Sequence, residues 1–130
     1  MRSVLHVCSS GRGEGLGRPE LLAWLLVGHL AGDFLLQTGW MARNKAHNPL
    51  ARAVHVVVYA GAVYLAGLPA GGLSWPGLAL VALTHYVLDG QGFVRFWLRC
   101  LNGSDGPYWL GIVVDQAWHV VVLALVALFF

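Results

Sequence analysis

Charge is scarce in this sequence. Lysine, arginine, aspartate and glutamate make up 11% of its 130 residues, against roughly 25% in an ordinary soluble domain. The net charge is only +2, and the basic residues sit at the ends of apolar segments, so no nucleic-acid partner is expected. Cysteine is nearly absent: Cys8 and Cys100 are the only two. No CxxC spacing exists to hold a metal through thiolates, and no disulfide is expected. No secretory signal is expected in the first twenty residues, because the apolar stretch behind the basic start falls short of the roughly 7–15 residues such a signal needs. Residues 1–19, rich in glycine and arginine, read as a disordered head.

What the chain has in excess is hydrophobicity, with 58% apolar residues and a mean hydropathy of +0.66. Four apolar segments stand out, at about 21–41, 50–68, 78–98 and 108–130. Each approaches the roughly 20 residues that cross about 30 Å of hydrocarbon. Between them lie ARNKAHNP, GLPAGGLSWPG and NGSDGP, which carry turn-forming residues. The pattern predicts an all-α fold, an integral membrane four-helix bundle over residues 20–130, in contact with membrane lipid. Arg43, Lys45, Arg52, Arg95 and Arg99 fall in or beside the first and third connections, and Arg2, Arg12 and Arg18 in the head. The positive-inside rule then places those two connections in the cytoplasm and both termini outside. Trp40, Trp75, Trp97 and Trp109 near helix ends fit an interfacial aromatic belt. Gly28 and Gly32 form a GxxxG that suits close helix approach and leaves a homodimer open.

Against this background the polar residues inside the segments are conspicuous. His29 and Asp33, His85 and Asp89, and Asp115 and His119 are each four apart, so each pair projects from one helix face. The order reverses in the last pair, as does the direction of its helix. At about 1.5 Å per residue the three aspartates then share one level and the three histidines another, one turn deeper. His55 and Tyr59 repeat the spacing in the second segment, with Tyr59 near the aspartate level and His55 nearer the cytoplasm, where Gln37 also falls.

An aspartate at mid-bilayer costs about 2.5–3.5 kcal/mol on insertion scales, so these groups need a reason to be there. Three readings are open. Interhelical hydrogen bonds give a structural role, though they average only about 0.6 kcal/mol each. A chain of titratable groups gives a proton or ion path. Neutral imidazole and ionised carboxylate are the usual ligands of zinc, iron or manganese, and a dication cancels the aspartate charge. The metal reading takes His29, Asp33, His85, Asp89, Asp115 and His119 as ligands of one or two ions, zinc foremost, with a dinuclear centre favoured by their number. His55 is a further ligand or a proton shuttle. Gln37, Tyr59, Thr84 and Gln116 are placed around the ligands, and Arg43, Arg52, Arg95 and Arg99 form a rim suited to a lipid head group. His6 and His47 are expected to be solvated.

The stretches HLAGDFLLQTGWMARNKA, HVVVY, THYVLD and DQAWH resemble a bacterial and phage membrane protein family described as domain of unknown function 3307. The resemblance runs from Leu21 to Phe130 and picks out His29, Asp33, Gln37, His55, Thr84, His85, Asp89, Asp115, Gln116 and His119. It implies a bacterial cytoplasmic membrane location and brings no activity. In residue types the chain is also similar to membrane-bound metal-dependent hydrolases regulated with the bacterial DNA-damage response. That similarity implies hydrolysis of a lipid or lipid-linked substrate as the leading function. A metal carrier or sensor, a proton-handling protein and a structural accessory subunit are the alternatives.

Overall fold

A computed structural model describes residues 18–104 and 106–130. The expectations for the head, for Cys8 and for His6 lie outside the described residues. Within them every regular element is helical. Helix α1 (Pro19–Leu30) runs directly into a π-helical turn (Ala31–Leu35), and a short helix α2 (Gly39–Asn44) follows. Helix α3 (Pro49–Gly67) is extended by a 3-10 turn (Leu68–Ala70), after which come α4 (Trp75–Asp89), α5 (Gly92–Asn102) and α6 (Tyr108–Phe129).

The starts of these helices are written locally. Proline occupies the first turn of α1, α3 and α4, where its missing N–H is not needed. Thr38, Asn48 and Ser74 cap α2, α3 and α4, with side-chain oxygens accepting from Met41 N at 3.3 Å, Leu50 N at 2.9 Å and Gly77 N at 3.3 Å.

Two of the four predicted helices are interrupted, so the described residues form six α-helices rather than four. The first apolar segment changes to the π-helical turn at Ala31 and restarts at Gly39. The third stops at Asp89, turns through Gly90 and Gln91, and continues as α5. Gln91 holds φ at 60°, in the left-handed region, and its glycine neighbours Gly90 and Gly92 weaken helix continuation there. Among the described residues, only Pro49–Ala70 and Tyr108–Phe129 are long and apolar enough to cross a membrane.

Helix α1 packs on α3 and α6, and α4 packs on the same two. Along α1 the partners on α3 run backwards: Gly67 meets Leu21 and Leu25, Val63 meets Gly28, and Tyr59 meets Gly32. The two helices are therefore antiparallel. Gly28 and Gly32 both face α3 of the same chain, so the GxxxG is used for packing inside the molecule. At one end the interior is apolar, built from Leu21, Leu25, Val63, Val81, Leu123 and Val126. At the other it is polar, and His29, Asp33, His55, His85, Asp89, Asp115 and His119 are all buried there. The outside is apolar: Val27, Leu35, Val57, Leu65, Leu83 and Phe129 are more than half exposed. Of the two long helices only 22% and 28% of residues are buried.

Helix α5 closes one side of the polar end. Val94 and Leu98 are its buried residues, while Phe93 and Trp97 set their rings edge-on against Trp118 of α6, with centroids 5.2 and 4.9 Å apart. Trp97 thus joins two helices, a role that a membrane-interface position alone did not suggest.

The closest backbone approach yields a prediction. A Cβ on Gly28 would lie 2.7 Å from Val63 Cα and 3.0 Å from Ala62 O, and neither backbone atom can swing away. Gly28→Ala should destabilise the protein by roughly 1–3 kcal/mol. Gly61→Ala, where nothing lies within 4 Å, should be neutral or mildly stabilising. Melting curves of both variants in detergent check the pair.

Candidate metal centre

Asp33 owes its position to the π-helical turn. The wider i→i+5 spacing, with Leu36 N donating to Ala31 O at 2.9 Å, turns the carboxylate inward. Such turns recur at functional sites. His55 projects from α3, His85 from α4, and Asp89 is the last residue of α4. The three elements bring four atoms together. His55 Nε2 is 3.0 Å from Asp33 Oδ1, 3.3 Å from Asp89 Oδ2 and 3.1 Å from His85 Nε2. His85 Nε2 is 3.4 Å from the same Asp33 oxygen and 3.2 Å from the same Asp89 oxygen.

Each of the two imidazole nitrogens thus faces both carboxylates, while Asp33 and Asp89 fall in separate three-residue groups that can hold a metal ion. An ion bonded at 2.0–2.1 Å to four tetrahedral nitrogen and oxygen ligands separates those ligands by about 3.3 Å. Hydrogen bonding alone fits less well, because one ring nitrogen offers one N–H or one lone pair. His55 Nε2 faces Asp33, Asp89, His85 and, at 3.3 Å, Lys45 Nζ. Asp33, His55 and His85 form one group that can hold a metal ion, and His85, Asp89 and His119 form a second. His119 is prepared for that role. Its Nδ1–H donates to the Asp115 carbonyl at 2.8 Å, so the lone pair lies on Nε2, which is buried with no hydrogen-bond partner. Asp115 Oδ1 is orphaned in the same way. Nδ1 of His55 and of His85 also lacks a partner. Packing holds at least one of these rings: His85 stacks on Tyr59 with centroids 3.5 Å apart and planes 9° from parallel.

The remaining candidates divide. Gln116 Nε2 donates to Asp115 Oδ2 at 3.3 Å, leaving Oε1 to accept from His29 Nε2 at 3.1 Å. The Tyr59 hydroxyl then donates to His29 Nδ1, also at 3.1 Å. Both nitrogens of His29 are occupied, and it lies outside the two groups, although Nδ1 is 3.5 Å from Asp33 Oδ2. Gln37 keeps a buried Oε1 without a partner on the wall of a cavity. Thr84 is turned away, its hydroxyl donating to Leu80 O at 2.7 Å within its own helix. His55 stands level with Asp33 and Asp89 instead of nearer the helix end, and the π-helical turn takes Asp33 off the register of a uniform helix.

Sequence reading missed Lys45. It follows α2, and its Nζ lies 3.0 Å from Asp89 Oδ1 and 3.9 Å from Asp33 Oδ1. Arg52 fixes the loop behind it, donating from Nε to Lys45 O at 2.8 Å and from Nη2 to Ala46 O at 2.9 Å. A signal was available: Lys45 is the single lysine among the eight basic residues of the chain. A cavity of about 900 Å³ opens from this centre, with Asp33, Asp89 and Asp115 on its floor and Arg43, Lys45 and Arg95 along its sides. Arg99 and Arg52 do not line it.

Residues 21–130 match the family model described as protein of unknown function (DUF3307), and the chain belongs to that family. No curated protein and no solved structure matches it.

The ammonium of Lys45 is a half-buried countercharge for two carboxylates. Lys45→Met should lower the stability of chelator-treated protein by about 1.5–3 kcal/mol, read as a fall in melting temperature. Arg95→Gln, which removes no contact to the centre, should leave it unchanged.

Proposed function

We propose that this protein is an integral membrane metalloprotein that holds a transition-metal dication among Asp33, His55, His85 and Asp89. The observation that carries the reading is that two imidazole nitrogens, 3.1 Å apart, each lie 3.0–3.4 Å from a carboxylate oxygen of Asp33 and one of Asp89. Zinc suits this nitrogen and oxygen set, and iron or manganese are the alternatives. His119, with Asp115 beside it, supplies a second position next to the first through the shared residues His85 and Asp89. That arrangement supports a dinuclear centre.

The membrane reading rests on the inverted distribution of polarity. Large apolar side chains cover the outside, and His29, Asp33, His55, His85, Asp89, Asp115 and His119 are buried, as expected where hydrocarbon is the solvent. In this reading α1, α3, α4 and α6 form a four-helix transmembrane bundle in a bacterial cytoplasmic membrane, with both termini outside. Helix α4, at about 1.5 Å per residue, reaches only about 22 Å. The centre at its C-terminal end therefore lies nearer the cytoplasmic interface than the bilayer midplane, with α2 and α5 lying at that interface.

Hydrolysis is the leading activity for such a site. A dication there would act as a Lewis acid and activate water at neutral pH. Lys45 contributes a cation at the point where a substrate anion would meet the centre, and the chain from Tyr59 through His29 and Gln116 to Asp115 orients one carboxylate. A metal-free charge network is the second reading, favoured by Lys45 Nζ at 3.0 Å from Asp89.

Elemental analysis of detergent-purified protein separates the two. Wild type should carry one to two equivalents of metal, Asp89→Ala should lose it, and His29→Asn should keep it, with folding confirmed by circular dichroism. Folded wild type that stays metal-free after zinc, iron and manganese are supplied would overturn the metal reading.

A further inference from the structure

The cavity above the centre has three kinds of wall. Its floor is acidic, with Asp33, Asp89 and Asp115. Arg43 from α2 and Arg95 from α5 enter it from different elements. Phe34, Leu98 and Ile112 give it an apolar side. A volume of about 900 Å³ lies in the range of sites that enclose whole small ligands.

The two arginines differ from others in the chain. Arg18 donates to the carbonyls of Ala70 and Gly72 at 2.8 and 3.1 Å, and Arg52 donates to Lys45 and Ala46. Among the described residues, the side chains of Arg43 and Arg95 have neither an ion pair nor a hydrogen bond. Planar guanidinium groups grip phosphate oxygens in pairs. A phosphate has enough oxygens to meet two arginines and still face a cationic centre, whereas a carboxylate has only two.

We propose that this cavity binds a phosphate-bearing amphiphile, with its phosphate between Arg43 and Arg95 and its hydrocarbon along Phe34, Leu98 and Ile112. The proposal rests on the metal reading of the floor, since a metal-free acidic floor would repel phosphate. It gives the proposed hydrolytic site a substrate class: a phosphate ester on a lipid rather than an amide or a free phosphate ion.

Calorimetric titration of the full chain in phosphate-free detergent tests this, with metal content measured on every sample. The probes are dihexanoyl phosphatidic acid, dihexanoylglycerol, octanoate and inorganic phosphate. Phosphatidic acid should bind at least about tenfold tighter than the other three. The Arg43→Gln/Arg95→Gln variant should lose about tenfold or more of that affinity with its metal content unchanged. Equal binding of dihexanoylglycerol or octanoate would overturn the phosphate assignment, and equal binding of inorganic phosphate would overturn the amphiphile. Metal-loaded wild type that does not discriminate, or an unaffected double variant, would overturn this proposal while leaving the metal centre standing. Metal-free wild type with no binding overturns both readings, and metal-free wild type with arginine-dependent binding overturns the metal reading alone.

Discussion

Two carboxylates, Asp33 and Asp89, are 3% and 1% exposed and meet the same pair of imidazole nitrogens. Carboxylates so placed must be compensated by cations or lose their charge, because the desolvation of an unpaired one is worth several kcal/mol. Lys45 supplies one positive charge. In the metal reading, a dication held by these imidazoles and carboxylates would supply the further positive charge and would account for neither imidazole having a single partner. The other features of the polar half follow from keeping those four side chains in register. The α-to-π change in the first segment aims Asp33. The face of Tyr59 fixes the ring of His85, and Arg52 holds the loop that delivers Lys45.

The same constraint shapes the scaffold. Gly28 and Gly32 let α1 lie against Val63 and Tyr59 of α3, which brings His55 within 3.0 Å of Asp33. Because α4 ends at Asp89, the chain can turn through Gly90 and Gln91 into α5, and α5 forms a wall of the cavity. An uninterrupted third helix would carry those residues away from the polar end and leave that wall unbuilt. The helix break is therefore what gives the cavity beside the buried centre its α5 wall.

Much of this was legible in the residues. The four-residue spacing identified every acidic and imidazole group that is buried, and the turn-rich connections located the first long break and the second. The helix interruptions escaped because hydropathy does not fall where they occur. Phe34, Leu35 and Leu36 continue the apolar run through the π-helical turn on the exposed surface, and Phe93 and Val94 continue it beyond Gln91, where they pack inward and against Trp118. The signals that mark the breaks, Thr38–Gly39 and Gly90–Gln91–Gly92, are brief and local. Spacing assumed uniform α-helix, so it set Asp33 and His55 on different levels. Lys45 was counted for orientation alone, because a basic residue in a polar connection gives no hint that the loop folds back over the carboxylates.

The central claim is that one ion shares the four converging atoms, and X-ray absorption at the metal edge tests it most directly. Purified protein should show a first shell of four nitrogen and oxygen donors at about 2.0–2.1 Å, with outer-shell scattering from two imidazole rings or more. A sulfur shell, an octahedral shell of water and carboxylate without imidazole, or no metal edge above background would contradict it.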